Sequence, residues 1–424
     1  MKHRVYSAAQ AFFRTKWLSK RLKTRLDVER FHQKKLTVML RRIVQEFSFY
    51  QDYRGGSLSD LPLMSKEILS DNFEQLNTPK LTAADVRGAL ANDRFFVDGY
   101  HIGQSTGTSG NRGYFVISDE ERYRWLGTIL AKTLPDALWR RHKVALALPG
   151  FTSLYESASS GSRIFLRFFD LSEGVSSWIE EFVAFDPDTI VAPPKVLRYL
   201  AEQGVLQTKQ VFSGAEVLDP LDRTIIERES GVKVREIYMA TEGLLGVSCS
   251  HGTMHLAEDV MHFEWSKPDL ASALQSPIFT DFVRTTQVMA RYQMNDLLEL
   301  SSETCRCGSP YQTVQRIEGR QDDMFLLPGE DGGLKHVTPD VLRNAVVDAN
   351  PLITDFRIVQ RGAQDILITL DESVPLDIDD SVSVRVEQAL RKLAIRDISV
   401  NLGRGISVPY DKKLRRVRRE WQPS

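Results

Sequence analysis

The sequence predicts an α/β protein: a large N-terminal domain with mostly parallel sheets flanked by helices, plus a small mobile C-terminal α+β domain. Three observations predict it. Between residue 101 and about residue 250, apolar, β-branched or aromatic runs alternate with helical stretches, the pattern of βαβ units around a parallel sheet. After the charged stretch IEGRQDDMF, the chain carries a strand pair, a helix and a basic tail of its own. The length of 424 residues fits two or three domains. With 42% hydrophobic and 26% charged residues, the composition is that of an ordinary globular chain with material for a large core.

Residues 1–100 read as the helical, loop-rich N-terminal part of the large domain. MKHRVYSAAQAFFRTKWLSKRLK is broken by charge too often to supply a signal-peptide apolar region. It reads as an amphipathic helix packed on the body, with a membrane-surface helix as the minor alternative. RFHQKKLTVMLRRIVQEFSFYQDY has apolar residues at helical spacing, and LSDLPLMSKEIL places a turn and a helix start. Residues 101–320 form the core of the domain. KVALALP, RIFLRFFDL, DTIVAPP, KQVFSG and VREIYMATE read as strands, with PKVLRYLAEQG and PLDRTIIERESG as helices between them. Residues 251–318 read as shorter strands and hairpins. In the small domain, residues 321–424, FRIVQRGAQDILITLD is a strand pair and DDSVSVRVEQALRKLA a helix.

A net charge of −1 gives no global pull toward nucleic acid or an anionic membrane. DKKLRRVRR reads as a solvated surface or as a positive neighbourhood for an anionic ligand. No apolar run reaches the ~18 residues of a spanning helix. The three cysteines, an odd number without a secretion signal, indicate a reducing compartment, by default the cytoplasm.

The segment QSTGTSGNRG, Gln104 to Gly113, packs three glycines and four hydroxyl side chains into ten residues. Glycine lets a ligand approach the main chain, and Ser and Thr add donors beside the exposed N–H groups. Such a loop suits a phosphate, although a mobile surface turn accounts for it equally well and it lacks P-loop spacing. Four further segments follow: SGAEVL (Ser213 to Leu218), YMATEG (Tyr238 to Gly243), RYQMNDLLEL (Arg291 to Leu300) and IEGRQDDM (Ile317 to Met324). The lysine pair Lys412 and Lys413 lies near the C-terminus. Ligands of parallel sheets sit at the carboxyl ends of strands, so the glycine loop and the loop after REIY could share one crevice.

In this order and spacing the motifs resemble those of the adenylate-forming superfamily of acyl- and aryl-CoA ligases, most closely the phenylacetate-CoA ligase branch and its deazaflavin-adenylating relatives, over roughly residues 30–424. The resemblance implies ATP, Mg²⁺ and a CoA or phosphopantetheine thiol. It implies that Ser105, Thr106, Gly107, Thr108, Ser109 and Gly110 hold the β- and γ-phosphates, and that Glu242 ligates Mg²⁺. Thr241 would touch the α-phosphate, and Tyr238 with Gly214, Ala215 and Glu216 would flank the adenine. Asp296 would accept from both ribose hydroxyls, and Arg320 would lie near the ribose or phosphates. Asp322 matches the hinge of the small domain, and Lys413 the lysine of the adenylation step, with Lys412 one residue away. Taken singly, Asp296 reads as a turn residue, Glu242 as a cap and Tyr238 as core. The chain departs from the family at Asn111, followed by Arg112, where a lysine is usual, and at Gln293, where an arginine is usual.

Cys305 and Cys307 flank a tight turn, Cys249 is the only other thiol, and His251, His255 and His262 follow it closely. Three cysteines and one histidine would complete a closed structural zinc site; ordinary reduced cysteines are the alternative. The resemblance points to His255 as the fourth ligand, with His251 the other choice. The acyl pocket candidates are Tyr155, Phe169 and Ala192 to Pro194, which helix packing explains equally well.

The functional expectation is ATP-dependent activation of an aryl or fatty carboxylic acid as acyl-adenylate, with transfer to CoA or a carrier-protein thiol. The alternatives are an adenylyltransferase that stops at an AMP adduct and a non-catalytic nucleotide-binding protein. The expected partners are a small carboxylic acid and CoA or an acyl carrier protein, with no nucleic acid and no membrane; a homodimer is compatible with the sequence.

Overall fold

The computed structural model describes residues 2–104, 113–148, 163–268, 273–406, 408–410 and 412–423. Helices α1 (Lys2–Arg21) and α2 (Arg25–Glu46) open the chain. α2 begins on a capping box in which Thr24 and Asp27 bond each other's backbone N–H. α3 (Lys66–Asp71) and α4 (Ala83–Leu90) follow. A small antiparallel sheet, β1 (Phe96–Val97), β2 (Tyr100–Gln104) and β3 (Tyr114–Ser118), straddles residue 100. β3 runs into α5 (Asp119–Thr133) through the Ser118–Glu121 capping box. Glu121 is buried, and its other carboxylate oxygen accepts from Thr286 N–H at 2.8 Å, so one cap also ties α5 to a distant loop. α1 packs along α5, and a Cβ built on Gly127 would lie 2.0 Å from the Ala8 carbonyl oxygen. Only glycine permits that approach.

The large sheet has a parallel half and an antiparallel half. β4 (His142–Leu148), β5 (Ile164–Asp170), β6 (Thr189–Ala192), β7 (Gln210–Ser213) and β8 (Val234–Ala240) pair in parallel in the order β5-β4-β6-β7-β8. α6 (Ile179–Phe185), α7 (Pro194–Glu202) and α8 (Pro220–Ser230) connect them. α7 and α8 each start with proline, whose fixed φ suits a first helical turn, and α8 stops at Gly231 with φ +68°. Beyond β8 every pairing is antiparallel, through β9 (Gly243–Ser248), β10 (Met254–Leu256), β15 (Thr313–Arg320), β14 (Asp296–Ser301), β12 (Leu274–Asp281) and β11 (Met261–Ser266), with β13 (Tyr292–Gln293) on β12. The parallel arrangement thus ends at β8, because the strands after it are joined by hairpins too short for a crossover.

Residues from Phe325 to Val417 enclose a second core that includes Leu342, Ile358, Ile366 and Val382. It is built from the β16 (Phe325–Pro328) and β17 (Leu334–Val337) hairpin, α9 (Pro339–Val347), α10 (Asp379–Lys392) and a four-stranded sheet. That sheet has the order β20 (Ser399–Arg404), β19 (Asp365–Leu370), β18 (Phe356–Gly362), β21 (Val417–Arg419). Buried ion pairs join this unit to the large sheet. The Arg416 guanidinium donates to Asp222 of α8 at 2.6 and 3.0 Å and to Asp355 at 3.0 Å. Arg198 of α7 donates to Asp222 and to the Thr354 carbonyl. Arg343 of α9 meets Glu318 of β15 at 2.8 Å.

Candidate active site

β6, β7 and β8 run parallel, so their carboxyl ends open on one side of the sheet. A cavity of about 540 Å³ lies there, lined by the loops after β7 and β8, by the start of β14, the end of β15 and the segment 413–417. The loop after β7 is strained: Ala215 has φ +67°, while the Gly214 N–H donates to the Ala192 carbonyl at 3.1 Å. At the β8–β9 turn, Thr241 and Glu242 stand at the rim, and Tyr292 Oη donates to Glu242 Oε1 at 3.2 Å.

Asp296 and Arg320 are register partners on β14 and β15, which sets them side by side. Asp296 Oδ1 lies 3.8 Å from Arg320 Nε, and its Oδ2 accepts from Tyr238 Oη at 2.6 Å. Burial raises the Asp296 pKa, while Tyr238 and Arg320 pull it back. Burial, with the nearby Asp296 carboxylate, pushes the Tyr238 phenol well above its ordinary value. Lys413 lines the cavity and is exposed there. Crowding by the surrounding protein and by Arg320 lowers its pKa against the opposing pull of Glu216, Asp296 and Glu242. Five charged groups from five strands and loops therefore converge: Glu216, Glu242, Asp296, Arg320 and Lys413.

The segment carrying Lys413 is held from beneath. Glu216 Oε2 accepts from the Leu414 N–H at 3.3 Å. Lys195 Nζ donates to the Pro409 carbonyl at 2.7 Å and to the Lys412 carbonyl, and lies 3.9 Å from Glu216 Oε1. Arg415 pairs with Asp323, and Asn295 Nδ2 donates to Asp322 Oδ2 at 2.6 Å, fastening the junction of the two units. Lys413, not Lys412, lines the cavity. Glu216 presents its side chain to this segment, a placement the sequence did not suggest. Sequence reasoning also missed Lys195 and Tyr292, whose partners lie far along the chain.

Ser105 to Gly110, Asn111, Arg112 and Tyr155 lie outside the described residues. Of the acyl pocket candidates, Phe169 and Ala192 lie in the buried core with Trp178, Phe182 and Val196, the packing role that the sequence equally allowed. Pro193 and Pro194 cap α7.

Cys249, His255, Cys305 and Cys307 form a second cluster, with one ligand atom of each within 4.8 Å of all the others. Cys249 Sγ and Cys305 Sγ are 3.7 Å apart, and Cys307 Sγ lies 3.3 Å from His255 Nε2. A zinc tetrahedron with Zn–S of ~2.3 Å has an S···S edge of about 3.8 Å, so the donor set fits that ion. Near 3.3 Å, the His255 Nδ1 faces the Tyr311 carbonyl, which fixes the ring. Burial opposes ionisation of Cys305, but bonds from the Cys307 N–H, Thr253 and His255 outweigh it and bring the thiol to about 6. His251 is exposed at the hairpin tip, and the His262 ring pairs instead with His32, Nδ1 to Nδ1 at 3.1 Å.

No family model matches the chain. It is 27% identical to the phenylacetate-coenzyme A ligase of Thermus thermophilus over 208 residues, 45% of this chain and 44% of that protein. It is 25% identical to protein CapK of Staphylococcus aureus over 210 residues, 47% of this chain and 45% of that one. The chain thus spans about half the length of the curated relatives it matches. Its fold is that of 2-hydroxyisobutyryl-CoA ligase in the postadenylation state with 2-HIB-AMP: TM-score 0.66 at 20% identity, over 91% of this chain and 88% of that one. The same ligase in its thioesterification state superposes at 0.52. No described helix is long and apolar enough to cross a membrane.

Proposed function

We propose that this chain is an AMP-forming acid–thiol ligase. It joins an aryl or fatty carboxylic acid to the AMP moiety of ATP and passes the acyl group to the thiol of CoA or of a carrier-protein phosphopantetheine. The observation that carries this reading is the meeting of Glu242, Asp296, Arg320 and Lys413 in one cavity. The likeness to a CoA ligase fold bound to an acyl-adenylate supports it.

In the first half-reaction a carboxylate oxygen of the acid bonds to the α-phosphorus, and the bond to the bridging oxygen breaks as pyrophosphate leaves. The acid brings its own nucleophile, so the protein's task is positioning and charge stabilisation. Asp296 offers two acceptor oxygens to the ribose hydroxyls, and Tyr238 orients it. The Lys413 ammonium faces the transferring phosphoryl group. Glu242 is the carboxylate suited to Mg²⁺, which supplies charge neutralisation to the phosphates. In the second half-reaction the thiolate sulfur bonds to the acyl carbon and AMP departs. We assign the Cys249, His255, Cys305 and Cys307 cluster to a structural zinc, and thiols kept for a metal fit a reducing compartment such as the cytoplasm.

The test is pyrophosphate release from ATP and Mg²⁺ with a panel of aryl and fatty acids. At least one acid should support release, and Lys413→Ala should cut that rate about 100-fold or more while Lys412→Ala changes it little. Silence across a broad panel overturns the reading. A product mass equal to a stable AMP adduct, with no thioester, moves it to adenylyl transfer alone.

A further inference from the structure

α1 has two faces. Ser7, Ala11, Phe12, Thr15 and Leu18 are buried on the inner one. The outer stripe is His3, Tyr6, Gln10, Phe13, Trp17 and Lys20, each three or four residues from the last and each exposed. A helix face turned to water ordinarily carries polar and charged residues. Here Tyr6, Phe13 and Trp17 are 67%, 52% and 54% exposed, and Trp139 of a neighbouring loop is 56% exposed. Trp139 extends the patch, its ring centroid 6.2 Å from that of Phe13.

The surroundings of the patch are cationic. The Arg21 guanidinium lies 4.9 Å from the Trp17 ring and Lys16 Nζ 5.0 Å from the Trp139 ring. From Arg4 to Arg42 the sequence has twelve Lys and Arg against two acids, Asp27 and Glu29, in a chain whose net charge is −1. Residues 2–23, α1 with the turn after it, carry seven of the chain's Lys and Arg and no Asp or Glu, so the helix with the aromatic stripe is itself basic.

We propose that the outer face of α1 docks this protein on an anionic lipid bilayer, with Tyr6, Phe13, Trp17 and Trp139 entering the headgroup boundary and Lys16, Lys20, Arg21 and Lys23 meeting lipid phosphates. A flat-lying helix of 20 residues with aromatic anchors and flanking cations has the chemistry of an interfacial element. Long basic side chains can lay their stems along the apolar zone and keep their charge at the phosphates. A second copy of this chain fits the face poorly, because two such cationic surfaces would repel. The proposal is independent of the reaction assigned to the cavity.

The test is flotation of the full chain with vesicles of phosphatidylcholine alone or of phosphatidylcholine with phosphatidylglycerol. The protein should float with the phosphatidylglycerol vesicles at low salt, detach as ionic strength rises and ignore phosphatidylcholine. Phe13→Ser with Trp17→Ser should lower the bound fraction about tenfold or more, as should Lys20→Glu with Arg21→Glu. All four positions are exposed, so circular dichroism and thermal unfolding should be unchanged. Failure of the unmutated protein to float with anionic vesicles at low salt overturns the proposal. So does flotation of the Phe13/Trp17 variant at the original level. Dissociation of a dimer by those two substitutions, seen by sedimentation, would make the face a protein interface and end the proposal in the same way.

Discussion

Asp296 and Lys413 face one cavity with their proton affinities displaced toward each other. Burial lifts the carboxyl above its ordinary value, and crowding by protein and by Arg320 lowers the amine below its own. If Asp296 must be ionised to accept the ribose hydroxyls and Lys413 protonated to face the phosphate, both limbs of the pH profile move inward. Falling pH protonates Asp296 sooner than an exposed aspartate, and rising pH strips Lys413 sooner than an exposed lysine. We expect a kcat/KM bell narrower than an unperturbed carboxylate–lysine pair gives. Lys413→Arg, whatever its loss in rate, should carry the alkaline limb upward, since guanidinium keeps its proton. An alkaline limb that stays put in that variant would remove Lys413 from the titration. That Asp296, Glu242 and Lys413 share one cavity was legible in the sequence through motif order. Lys195 was not, because its partners at 409 and 412 lie more than 200 residues away and no local pattern announces such a pairing.

At the scale of elements, alternation of apolar runs and helical stretches was enough to locate β4 to β8 and the helices α7 and α8, though not α6. It put the change to hairpins near residue 251 and did not show that β9 (Gly243–Ser248) already pairs antiparallel with β8. Nor could it show that β14 and β15 pair through two register shifts, at Leu297/Leu298 and Glu299/Leu300, to put Asp296 opposite Arg320. Spacing alone also left three histidines open beside Cys249. Strand placement separates them: His255 sits on β10, opposite Thr313 of β15, and so faces the Cys305–Cys307 turn. The thiol–imidazole cluster fastens the β9–β10 hairpin to the turn before β15. Elemental analysis should find one zinc per chain. Cys307→Ser or a strong chelator should remove it and lower the calorimetric Tm by roughly 5–10 °C. Full thermal stability in a zinc-free protein would reduce the cluster to reduced cysteines that happen to be near one another.

Across the whole molecule, the C-terminal unit with its own core is docked through charge. Asp222 is almost fully buried and answers both Arg198 and Arg416, and Arg343 meets the buried Glu318. Removing one member of a buried pair costs about 3–5 kcal/mol, chiefly because the other charge is left stranded. Arg416→Met should therefore weaken docking while sparing the C-terminal unit's own apolar core. Small-angle scattering should show a larger radius of gyration, with faster proteolysis near residues 320–325. An unchanged radius would mean that apolar contact alone holds the two units together. None of this was visible in the sequence, where DKKLRRVRR read as a solvated or ligand-facing basic run; in the folded chain Arg415 and Arg416 are spent on Asp323, Asp222 and Asp355.

The grip of Glu216 and Lys195 on the strip that bears Lys413 has a thermodynamic corollary. A nucleotide that touches both Asp296 and Lys413 senses how the two units are set. By linkage, whatever factor docking adds to nucleotide affinity, nucleotide must add to the docking equilibrium. Weakening Lys195 would then be felt twice, as looser ATP and as a domain that ATP closes less well.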